Sequence, residues 1–171
     1  MDFSLSAAIQ LKPIGVVEKG VPRPEEKDAV LAESRFDIVS VVRIFDSYAD
    51  GLKGLEEYSH AFIIYFMHEV GRFELLLETP QTGSLGVFAT RSPHRPNPIG
   101  LTLVEIVSVE VPILKVRGLD AWTGTPVLDI KPYDYYDIVK NPRVPRWFEE
   151  RWREVSARKR YREKVPWLGP Y

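Results

Sequence analysis

Short runs rich in Val, Ile and aromatic residues, cut by Pro and Gly, organise most of this chain. Residues 9–17 form a first strand candidate, with Pro13, Ile14 and Gly15 marking an edge or a bulge, because proline cannot donate to a ladder. Residues 20–26 hold Pro22, Arg23 and Pro24 and read as a loop. Residues 36–45 predict a buried strand. In 50–58, Leu52, Leu55 and Tyr58 recur at helical spacing, which predicts a short helix that turns those three inward. Residues 59–67 then read as a nearly continuous apolar strand ending at His68 and Glu69.

Beyond Gly71, residues 73–78 are another strand candidate, 80–84 a turn, and 86–88 a short strand. Residues 101–111 are almost unbroken β-branched sequence, and Pro112 ends the run. In 113–119 Leu114 and Val116 alternate with Lys115 and Arg117, the pattern of an antiparallel hairpin with one wet face. Six or seven strands at short spacing, with little helix between them, predict a mainly β fold: a small closed or nearly closed β-barrel with a short helix and a C-terminal helical extension. No G-x-G-x-x-G follows a strand, so a Rossmann-type cofactor site is not expected.

Charge changes this picture only near the C-terminus. The whole chain carries a formal net charge of −1 over 171 residues, which exerts no global pull on nucleic acid. Residues 143–164, however, hold nine basic and four acidic side chains, a local +5 against −6 for the rest. Pro145 suits a helix start, and Phe148, Trp152 and Val155 make an apolar stripe beside the i, i+4 pairs Glu149–Arg153 and Glu154–Arg158. The composition thus divides the chain into a barrel over 1–141 and a basic extension over 142–171. That extension reads either as a solvated helix face or as a contact for a polyanion, with Arg158, Lys159 and Arg160 as the RNA-binding candidates.

Several chemistries are excluded. There is no cysteine, which removes disulfides, thiolate zinc sites and cysteine nucleophiles. His60, His68 and His94 lack the spacing of a metal motif, so no metal is expected. The first ten residues have no basic lead or long apolar core, and the longest apolar run, 61–67, is too short to span a bilayer. A cytoplasmic protein with no membrane partner is the expectation.

The densest chemistry lies in 86–101, GVFATRSPHRPNPIGL. Pro93, Pro96 and Pro98 forbid both helix and central strand there, which predicts a stiff, extended loop. Arg91 and Arg95 offer bidentate donors for a carboxylate or phosphate, and Ser92 and Asn97 can donate and accept. A polar ligand with an anionic group fits such a loop; a solvated connector fits it too.

This stretch, together with 124–133 (GTPVLDIKPY), resembles the two signatures of the TsaA-like family, the TrmO-type tRNA N6-threonylcarbamoyladenosine methyltransferases. The resemblance implies a β-barrel that binds S-adenosylmethionine, acts on the N6 of threonylcarbamoyladenosine in the tRNA anticodon loop, and forms a homodimer. It maps cofactor contacts onto Pro22, Arg23, Pro24, His68, Glu69, Arg91, Leu101, Thr123, Gly124, Thr125 and Pro126. The chain departs from the family's usual pattern at Thr123, where Asp is common, and at Pro24, where Gln is. A different nucleoside or small-molecule acceptor, or a non-catalytic RNA- or nucleotide-binding barrel, is the alternative.

Residue-level alternatives stay open. Asp129, Lys131 and Tyr133 are catalytic candidates, Asp129 to orient the acceptor amine and the others to contact RNA or the threonyl carboxylate. Asp129 and Lys131, two apart on a strand, equally suit a simple ion pair. Arg95 and Asn97 either reach RNA or hold their loop. Trp122, Tyr133, Tyr135 and Tyr136 either stack on a flipped base or belong to the core.

Overall fold

The computed structural model describes residues 8–23, 35–79 and 82–157. Pro24, Arg158, Lys159 and Arg160, named above, lie outside the described residues. Among the described residues eight strands form: β1 (Gly15–Lys19), β2 (Val39–Ile44), β3 (His60–Phe66), β4 (Leu76–Thr79), β5 (Gly83–Gly86), β6 (Ile99–Glu110), β7 (Ile113–Arg117) and β8 (Pro126–Pro132), followed by helix α1 (Arg146–Ala157). Six of them close into an antiparallel barrel in the order β1-β2-β7-β6-β3-β8, sealed where Gly15 pairs with Val127. β4 and β5 pair only with each other, outside the barrel.

Period-two patterning decides which side chains fill the barrel. Val17, Val42, Ile44, Ala61, Ile63, Val104, Leu114, Val116 and Val127 face inward and are buried. Burial of each of these Val, Leu and Ile side chains contributes about 1.5–3 kcal/mol. β6 is long enough to serve two neighbours. Its first half pairs with β3 and its second with β7, and a register shift between Ile106 and Ser108 bends it from one to the other.

Four sequence expectations need correction. The first strand starts at Gly15 rather than residue 9, because Pro13 cannot join a ladder; Ile9 and Leu11 stay exposed. No α-helix forms over 50–58. Two 3₁₀ turns, Asp46–Leu52 and Leu55–Glu57, stand there instead, separated by Gly54 at φ 88°, which a right-handed helix cannot pass through. Leu52 and Leu55 still turn inward and cover one end of the barrel, whereas Tyr58 does not. The expected strand at 86–88 is instead the end of β5 followed by a 3₁₀ turn, Val87–Ala89.

Strand direction alternates around the barrel. The ends of β1, β3 and β7 therefore share one mouth with the starts of β2, β6 and β8. Leu52 and Leu55 lie at the opposite end. Among the described residues no helix is long and apolar enough to cross a membrane.

Candidate cofactor site

At the mouth shared by the end of β1 and the start of β8, the chain after β1 runs beside the turn that precedes β8. Val21 N donates to the Ala121 carbonyl at 2.9 Å and Gly124 N to the Val17 carbonyl at 2.8 Å. The Thr123 hydroxyl accepts from Gly20 N at 3.1 Å, so this side chain ties the two segments together. A Cβ at residue 20 would run into the Ala121 carbonyl oxygen and crowd Trp122, which is why the position is glycine.

This pairing delivers Arg23 to the mouth. Arg23 donates to Glu69 Oε1, and its guanidinium carbon stands 5.9 Å from the centroid of the Trp122 ring. The same carboxylate oxygen is 3.5 Å from His68 Nε2. The hydrogen bond from Arg23 is the main cause that holds the Glu69 carboxyl below the usual glutamate range, and the charges of Arg23 and His68 act in the same direction. Arg23, His68 and Glu69 are each about one-third exposed, hence reachable from solvent. Arg23, His68, Glu69 and Thr123, widely separated in sequence, are thus brought together, with Pro22, Gly124, Thr125 and Pro126 in the segments that carry them.

The proline-rich stretch lies against the segment that leaves β3. Met67 N donates to the Pro98 carbonyl at 2.8 Å, and Glu74 N to that of His94 at 3.3 Å. It is bent rather than extended. Arg95 N reaches the Pro93 carbonyl at 2.8 Å and Ile99 N the Asn97 carbonyl at 2.7 Å, both three-residue turns. Proline has removed the donors that longer-range turns would use. The Arg95 side chain secures the bends: Nε donates to the Ser92 carbonyl at 2.7 Å, and Nη2 to those of Thr90 and Val87 at 2.6 and 3.3 Å. Asn97 and Arg91 are exposed.

Other sequence candidates lie elsewhere. Leu101 pairs with Ile64 on the outer wall of the barrel and is 47% exposed, beside Phe66 and Ile99. Asp129 and Lys131 form an ion pair at 2.8 Å, also on the outer wall. Tyr133 packs edge-on against Phe62 and His60. From Pro126 to Lys131 the strand rises about 17 Å, so within one chain Lys131 and Tyr133 stand away from the Arg23–Glu69 mouth, whereas Asp129 lies midway, opposite Ile64. Tyr135 and Tyr136 are not core: they are 91% and 99% exposed on a turn that Asp134 and Asp137 cap reciprocally.

Sequence reading missed Tyr65 and Asp120. The available signal was register, since Tyr65 falls two residues after Ile63 and so faces inward with it.

The cluster offers a carboxylate, a guanidinium and an aromatic ring side by side, groups that suit a polar, charged ligand. Fold and site together define a small β-barrel with a cluster of polar and charged side chains at one mouth, in place of a glycine-rich loop on a parallel sheet.

The chain belongs to the TrmO family: residues 20–138 match the tRNA-methyltransferase O N-terminal domain. An S-adenosyl-L-methionine-binding protein of Archaeoglobus fulgidus is 50% identical over 124 residues, which cover 72% of this chain and 88% of that protein. The human tRNA (adenine(37)-N6)-methyltransferase is 38% identical over 145 residues, 78% of this chain but 32% of that one. The crystal structure of TrmO from P. aeruginosa superposes with a TM-score of 0.67 at 33% identity, covering 85% of this chain and 63% of its own. The chain therefore spans about a third of the human enzyme and under two-thirds of the bacterial one.

Proposed function

We infer that this protein is an S-adenosylmethionine-dependent tRNA methyltransferase that modifies the N6 of threonylcarbamoyladenosine in the anticodon loop. The observation that carries the reading is the meeting of Arg23, His68, Glu69 and Thr123 at one mouth in a member of this family. The cofactor supplies an activated methyl group; the protein's part is to bind, orient and exclude water. Glu69 and Arg91 would hold the charged ends of its methionyl portion, and Trp122 would face its base.

The tRNA would lie beyond this mouth, with the 142–171 extension as a second contact. A homodimer agrees with the outer wall of β3 and β6, where Phe66, Ile99 and Leu101 leave an apolar strip that a second copy would cover. Such a copy would also give Leu101 a place beside a ligand. A cytoplasmic location follows from tRNA as substrate.

Nucleoside mass spectrometry of tRNA incubated with the protein and isotope-labelled cofactor tests the reading. Label in N6-methylated threonylcarbamoyladenosine is expected. Label in another nucleoside would move the acceptor. Cofactor binding with no labelled nucleoside would leave a binding barrel.

A further inference from the structure

Tyr65 joins two parts of the mouth that are far apart in the chain. It occupies the inward face near the end of β3 and is buried. Its ring lies so close over Gly100, the second residue of β6, that a Cβ on residue 100 would overlap three ring carbons. Its hydroxyl donates to the Asp120 carbonyl at 2.6 Å and stands 3.2 Å from Thr102 Oγ1. Asp120 lies two residues before Trp122, in the segment that leads into the Trp122–Thr125 turn. Burial, above all, raises the pKa of this phenol, so the donated proton is retained.

A phenylalanine would fill the same volume without the cost of burying a hydroxyl. The hydroxyl is therefore explained by its partner, and that partner is a backbone carbonyl of the site turn. We propose that Tyr65 is a positioning residue for the cofactor, which fixes the 120–125 turn through the Asp120 carbonyl, and that Gly100 is required to admit its ring. Removing the hydroxyl leaves that carbonyl without its donor and lets the turn, with Trp122 and Thr123, shift. The inference rests on the assignment of the cofactor to this mouth.

Calorimetric titration of the full chain with S-adenosylmethionine tests it in wild type, Tyr65→Phe, Gly100→Ala and Thr102→Val. Tyr65→Phe is expected to weaken binding by about tenfold or more. In turnover its KM for the cofactor rises and kcat at saturation is kept. Gly100→Ala, which retains the hydroxyl but displaces the ring, shows the same loss. Thr102→Val leaves the bond to Asp120 intact and keeps Kd within about twofold. If wild type binds no cofactor, the assignment of the mouth itself fails. If wild type binds and Tyr65→Phe binds equally well, the positioning role alone is overturned. A loss in Thr102→Val as large as in Tyr65→Phe also overturns it, because general barrel packing would then be the cause. Should Tyr65→Phe not fold, Gly100→Ala decides, and an unchanged Kd there is fatal to the idea.

Discussion

Arg23 and Glu69 meet as an ion pair at the barrel mouth although they are 46 residues apart in the chain. Glu69 directly follows the exit of β3, and Arg23 is delivered by a loop that can pass only because residue 20 has no side chain. The pair is also beside Trp122, so one guanidinium addresses a carboxylate and an aromatic ring from the facing turn. Each contact alone is worth little at a half-exposed site. Together they hold the Arg23 guanidinium in one place.

The titration of Glu69 gives this pair a pH signature. Its folded pKa is depressed below the ordinary 4.5, so the stabilisation is fully present above the unfolded value and is lost as pH falls through the lower folded value. Cofactor affinity should accordingly hold steady on acidification until pH drops below the ordinary glutamate range, then fall. Glu69→Gln should bind more weakly at neutral pH and lose that acidic transition. Binding curves collected from neutral to acidic pH check this; an identical transition in Glu69→Gln would exclude Glu69 as its source.

Gly20→Ala tests the approach of the two segments. Its Cβ would meet the Ala121 carbonyl, and backbone cannot move aside as a flexible side chain can. A stability loss of about 1–3 kcal/mol is expected, seen in chemical denaturation, with cofactor affinity reduced in parallel. Gly86→Ala, with open space around its Cβ, should be tolerated by comparison.

Arg91 and Arg95 should separate cleanly. Arg95 gives its donors to the carbonyls of Ser92, Thr90 and Val87, so Arg95→Ala should cost about 1–3 kcal/mol of stability through unpaired carbonyls. Arg91 is exposed, and Arg91→Ala should weaken cofactor binding while moving stability by no more than about 0.5 kcal/mol. Thermal melts and calorimetry on both variants provide the comparison, and an equal effect of the two on stability would contradict it.

Tyr135 and Tyr136 stand almost wholly in solvent on a capped turn. If unpaired bases of the tRNA stack there, replacing both with Ala should weaken tRNA binding by about 1–3 kcal/mol per stacked base and leave the melting midpoint unchanged. Filter binding with full-length tRNA measures this. Unaltered affinity would remove these rings from the RNA contact.

Much of the barrel was legible in sequence because its signals are local. The β-branched run that became β6, the Pro112 break and the alternation in β7 all survive in the structure; β6 starts two residues earlier than the run, and β7 ends two residues earlier than expected. The reading failed where glycine or proline acts through backbone geometry. Gly54 at positive φ replaced a helix with two turns, and Pro13 delayed β1. The Arg95 clamp was half-visible: the residue types were plain, but nothing local shows which carbonyls three prolines leave without donors.

The sequence by itself determined the family and the period-two skeleton, since the signatures and the alternation are properties of contiguous residues. Only the tertiary structure decided which side of the wall each residue faces, because a one-residue change of register moves a side chain from the interior to the outside. It turned Tyr65 inward and Leu101 outward, and it set Lys131 and Tyr133 toward the end opposite the Arg23–Glu69 mouth. Barrel closure is a non-local pairing between β1 and β8, and the meeting of Arg23, Glu69 and Thr123 follows from that closure.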